Sequence, residues 1–305
     1  MTAAPHDRAN VDGPPTALGS GTAYTVLAAM GFAAVSTLTT IAVGEHLSLF
    51  TVLAWRYTLG AVVMVGYVGA RAFPRMPWSE ALKFIVVGGG GQALLVGMAL
   101  SSTRWISVAT LAFLFYTYPA WVTLVQTLRG AERPSVRRLA ALALSFGGTV
   151  LMVGAPRGER QPWQGVALAL GAAMIYGVYI PTMRHLQKTY RVTVTSAYGK
   201  IGSALCFLGL AIGNQSFTAS MSGRAWMAIV ALTLFSTVLP SVFFMMGLLR
   251  LGPVRTAIVS TIEPFLTAVL GAVVLRQALV GNTLLGGAMI VAAVVVLQFR
   301  RERVA

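Results

Sequence analysis

Apolar residues along this chain gather into blocks of about twenty, separated by short polar connections. A helix needs ~20 apolar residues to cross the hydrocarbon layer of a bilayer, so each block predicts a spanning helix. Ten are expected, over 22–43, 47–70, 82–101, 105–128, 136–154, 164–184, 193–213, 225–248, 253–275 and 279–299. Trp78, Trp105, Trp163 and Trp226 fall at block ends, where the rings of an aromatic belt belong. The fold class expected is therefore an all-α polytopic membrane protein. Residues 1–20 hold Pro, Gly, Asp and Arg but no apolar block, which predicts a disordered N-terminal tail, and 300–305 form a C-terminal tail. The first block is longer than a signal-peptide core, so it is expected to be retained as a span.

Composition sharpens this picture. Of the 305 residues, 56% are apolar and 10% charged, whereas a soluble domain carries about a quarter charged residues. The net charge of +15 is spread over short connections rather than gathered on one patch. That distribution argues against nucleic acid and follows the positive-inside rule. One set of connections and tails, including Arg129, Arg133, Arg137, Arg138, Arg184, Lys188 and Arg191, holds sixteen basic residues, and the other side holds five. Both termini are accordingly expected in the cytoplasm of a bacterial cell, with the chain in its inner membrane, and this requires an even number of spans. Cys206 is the only cysteine, and His6, His46 and His185 do not share metal-ligand spacing. No cofactor or metal is expected; the partners are a small-molecule substrate and the lipid bilayer. The oligomeric state is left open, a monomer being allowed.

The two halves repeat. Tyr118-Pro119 in the fourth block matches Glu263-Pro264 in the ninth, and Arg56 in the second matches Lys200 in the seventh. Leu139-Ala140-Ala141 pairs with Leu285-Gly286-Gly287 in the fifth and tenth. Residues 21–155 and 163–299 would each hold five spans, an odd number, so the second repeat is inverted relative to the first. Inverted repeats allow two mirrored conformations around one central site. With these motifs and the stretch Glu-Pro-Phe-Leu-Thr-Ala at 263–268, the chain resembles the EamA-type family of drug/metabolite transporters. The resemblance implies a ten-helix basket that exports amino acids and related metabolites. Two departures stand out: Tyr118 occupies the position of Glu263, and the first and sixth blocks lack the tryptophan common in the family.

Glu263 is the only acid placed inside a block, about ten residues from either end, hence ~15 Å from each interface. An ionised group there is costly unless paired or hydrated, so Glu263 either couples ions, binds a substrate amine, or braces the kink at Pro264. Pro119 predicts the matching kink. Arg56 is expected to face a cavity or a partner, its guanidinium offering a fork to a carboxylate. Lys200 is read as having a coupling or structural role: it could bind a substrate carboxylate as Arg56 could, and it is expected first to snorkel to the nearer interface. Phe115, Tyr118 and Trp121 fall on one helical face, with Tyr57, Tyr176 and Tyr179 on neighbouring spans, and tyrosine hydroxyls in a bilayer need polar company. These residues form the expected substrate wall. Gly88 to Gly91 match no phosphate loop and instead suggest close helix approach. Together these features predict an exporter of small amphipathic metabolites, with amino acids of apolar or aromatic character first. The excess of Arg56 and Lys200 over Glu263 favours a substrate with a carboxylate. A multidrug or cation exporter comes second, and a membrane-embedded enzyme is disfavoured because histidines and acids do not cluster at depth.

Overall fold

A computed structural model describes residues 15–69, 76–132, 135–153, 162–276 and 281–298, and these are helical apart from short connections. Along the chain run α1 (Pro15–Gly44), α2 (Leu49–Val68), α3 (Trp78–Ser102), α4 (Val108–Leu128), α5 (Val136–Val153), α6 (Trp163–Leu186), α7 (Val192–Gly213) and α8 (Gly223–Leu251). They are followed by α9, in the pieces Pro253–Ser260 and Glu263–Leu275, and by α10 (Gly281–Gln298). Among the described residues, eight of these helices, α1–α4 and α6–α9, are long and apolar enough to cross a membrane. The other two of the ten expected spans are α5, which opens on Arg137 and Arg138, and the shorter α10. Residues 15–20, expected in the disordered tail, belong to α1. Residues 1–14 and 299–305 lie outside the described residues, as do Arg71, Arg75, Arg133, Arg157 and Arg160. Trp78 and Trp163 are strongly exposed at helix ends, as a belt requires, while Trp226 instead packs edge-on to Trp55.

Two helices are broken where the sequence places proline. In α4 the first piece ends at Phe115 and the second begins at Tyr118; in α9 the pieces end at Ser260 and begin at Glu263. Proline has no N–H to close a helical bond, but its fixed φ suits the first turn of a new helix. The breaks therefore fall just ahead of Pro119 and Pro264 rather than as bends centred on them. Thr117 Oγ1 donates to Leu114 O and Thr261 Oγ1 to Ile258 O, both at 2.6 Å, satisfying carbonyls near each break.

A second matched irregularity lies in α3 and α8, where Phe84–Gly90 and Leu234–Val238 widen into π turns. Such turns are frequent at functional sites.

The helices pair into a basket. α2 packs along α7, α4 crosses α9, α1 lies along α8, and α3 contacts both α6 and α7. α5 and α10 pack on each other beside the α4–α9 pair, with Gly148 against Gly286. Glycine is required where α3 meets α7: a Cβ on Gly89 would stand 2.5 Å from Gly202 Cα, and one on Gly202 would strike Ile85 O. Within the glycine run at 88–91, Gly89 serves close helix approach, whereas Gly90 faces open space.

Candidate functional site

The basket encloses a cavity of about 500 Å³. Its floor lies near the face that carries Lys83, Arg184, Lys188, Arg191 and Arg250, here called the basic face. Met183, Gln187, Thr195, Phe244 and Met245 line that end and are buried. Ser36 and Thr40 line the other end and are exposed. The cavity is therefore closed on the basic face and open on the opposite one.

Arg56 projects from α2 into the cavity wall. Its Nε donates to Thr237 Oγ1 at 2.6 Å and its Nη2 to Ser236 O at 3.1 Å. Ser236 lies four residues before Pro240, so its carbonyl lacks the usual helical donor. The π turn of α8 and the following proline thus supply the acceptor that holds Arg56 at depth. The Arg56 Cζ is 5.3 Å from the Tyr57 ring centroid, and Lys200 Nζ is 5.4 Å from the same centroid. Tyr57 in turn stacks on Phe207 at 4.9 Å. Lys200 lines the cavity with its Nζ over the Tyr57 ring, which corrects the expectation that it snorkels: the electron-rich ring face attracts the ammonium inward.

On the α4–α9 wall an aromatic panel forms. Tyr118 and Tyr176 have ring centroids 4.8 Å apart, and Phe115 stacks on Tyr176 at 5.6 Å. Tyr118 OH donates to Ala257 O at 3.1 Å, tying the two broken helices together where they cross. Tyr179 OH donates to Gly88 O at 3.1 Å, a carbonyl in the π turn of α3. Glu263 opens the second piece of α9 and also lines the cavity. Among the described residues no donor reaches its carboxylate; its backbone carbonyl accepts from Thr267 Oγ1.

The structure thus brings Arg56, Tyr57, Phe115, Tyr118, Tyr176, Tyr179, Lys200 and Glu263 around one cavity. Trp121 does not line it. Its Cβ lies where a Cβ on Gly177 would come within 2.5 Å, so the ring belongs to the packing of α4 on α6. Pro119 and Pro264 set the positions of Tyr118 and Glu263 from behind. Sequence reasoning passed over Gln92, Gln187, Thr195 and Ser196, which also line the cavity. The available signal was their polarity within or beside apolar blocks.

The profile of the EamA-like transporter family matches the chain twice, over residues 19–154 and 163–299. The chain belongs to the EamA-like transporter family. The division between the two matches falls in the connection from α5 to α6. This EamA-like chain is also 27% identical over 210 residues to an "Uncharacterized transporter" of Archaeoglobus fulgidus, covering 67% of this chain and 72% of that one. A solved crystal structure shares the fold with a TM-score of 0.79 at 22% identity, covering 91% of this chain and 96% of the other.

Proposed function

We propose that this EamA-like transporter exports small amphipathic metabolites bearing a carboxylate, amino acids of apolar or aromatic character first, by alternating access. In this reading all ten helices span the inner membrane of a bacterium as two inverted repeats, with the basic face and both termini in the cytoplasm. The observation that carries the reading is the pair of cations, Arg56 and Lys200, flanking Tyr57 in a cavity open on one face only. Two of the Arg56 nitrogens are held by α8, which orients the guanidinium for a carboxylate. The aromatic panel opposite offers an apolar surface to a side chain. Radiolabelled phenylalanine and leucine counter-flow in proteoliposomes tests this. Arg56→Gln is expected to lower transport about tenfold, the worth of one charged hydrogen bond. Counter-flow unaffected by Arg56→Gln would overturn the reading.

A second reading, export of organic cations, is favoured by one observation: Glu263 lines the cavity beside Tyr118 and Tyr176. Counter-flow of a cation that lacks a carboxylate, at a rate indifferent to Arg56→Gln, would select it.

A further inference from the structure

The charges of the cavity sit on different walls. Arg56 and Lys200 belong to the paired helices α2 and α7, and Glu263 belongs to α9 where it crosses α4. Among the described residues no ion pair joins Glu263 to either cation. Among the described residues each pole therefore lacks an ion-pair partner, in a medium where an unmatched charge is expensive. The cavity is also larger than an α-amino acid needs.

The Glu263 pole has a second feature. Phe115, Tyr118 and Tyr176 line the cavity with Glu263, and stacked or tilted rings present electron-rich faces to a cation. A carboxylate next to such faces suits an ammonium group, including a methylated one that cannot donate hydrogen bonds.

We infer that the cavity holds an ω-zwitterion, its carboxylate between Arg56 and Lys200 and its ammonium or trimethylammonium group against Glu263 and the Phe115–Tyr118–Tyr176 panel. This inference rests on the carboxylate reading above, adds the second pole and the spacing, and ranks ω-zwitterions ahead of the α-amino acids named there. On this inference an α-amino acid, whose charges are separated by one carbon, engages one pole only. A chain of several methylenes between the charges reaches both and covers the apolar surface between them.

Purified full-length protein decides this by calorimetric titration with ε-aminocaproate, γ-(trimethylammonio)butyrate, caproate, hexyltrimethylammonium and phenylalanine. The two ω-zwitterions are expected to bind at least about tenfold tighter than caproate or phenylalanine, the factor one additional charged contact provides. Glu263→Gln is expected to remove that advantage and leave caproate affinity unchanged. Lys200→Gln is expected to weaken caproate and leave hexyltrimethylammonium unchanged. Phenylalanine binding as tightly as the ω-zwitterions overturns the inference; caproate binding lost in Arg56→Gln would show that the carboxylate reading survives it. Binding of hexyltrimethylammonium alone, with no carboxylate bound, overturns both. If Glu263→Gln does not fold, the comparison of the five ligands on the unaltered protein still decides.

Discussion

At the scale of single residues, the polar groups of the cavity are held by backbone that irregular helix geometry makes available. Arg56 takes the carbonyl that Pro240 leaves open, and Tyr179 takes Gly88 O in the π turn of α3. Tyr118 reaches Ala257 O across the crossing of the broken helices. Replacing Tyr118 or Tyr179 by Ala removes both a hydroxyl contact and a face of the cavity wall. Each is expected to lower counter-flow about tenfold at normal membrane abundance. Leu205→Ala, on the exposed side of α7, is expected to leave it unchanged; equal effects from all three would mean that the tyrosines only pack. Most of these residues were legible in the sequence because a charge or a hydroxyl inside an apolar block stands out. Trp121 was misplaced because its face was counted along an unbroken helix, and the break at 116–117 resets the angular phase between Phe115 and Trp121.

At the scale of helices, the apolar blocks marked the helices out in order, and among the described residues eight of them are long and apolar enough to cross a membrane. Their irregularities were only partly visible. The prolines announced the breaks in α4 and α9, but no residue pattern announced the π turns of α3 and α8, which depend on how the neighbouring helix packs. The α3–α7 contact illustrates the point. Gly89 and Gly202 let two backbones approach so closely that the obstacles to any side chain are backbone atoms, which cannot swing aside. Gly202→Ala is therefore expected to force α3 and α7 apart and cost roughly 2 kcal/mol, in the range of core overpacking. Gly209→Ala, seven residues along the same helix and facing open space, is expected to be neutral or slightly stabilising, because alanine is the better helix former. Thermal unfolding of the two variants in one detergent provides the comparison. A midpoint for Gly202→Ala equal to that of Gly209→Ala would show that the contact is looser than the packing implies.

At the scale of the whole molecule, sidedness and conformational state are separate questions that one set of single-cysteine variants can answer together. Basic residues gather on the face where the cavity is closed, so the positive-inside rule predicts the closed end in the cytoplasm and the mouth outside. Ser135, in the connection from α4 to α5, reports topology alone, since it lies away from the cavity. Ser36 lines the exposed end of the cavity and Gln187 its buried end, so they report which gate is open. Each is replaced by Cys in a Cys206→Ala background and treated in intact cells with a membrane-impermeant maleimide. Ser36→Cys is expected to react, and Ser135→Cys and Gln187→Cys are expected to stay unmodified. Reaction at Ser135→Cys would invert the topology. Reaction at Gln187→Cys with Ser135→Cys still protected would leave the topology intact and show that the floor of the cavity opens to the outside. In inside-out vesicles the pattern should reverse for Ser135→Cys at once. It should reverse for Gln187→Cys only as the molecules pass into a second conformation, because under the proposed alternating access the basic face must open for the substrate to reach the other side. A slow, substrate-dependent rise in labelling at Gln187→Cys is thus the expected signature of alternating access. Immediate labelling there in inside-out vesicles, without substrate, would mean that the basic face is never closed.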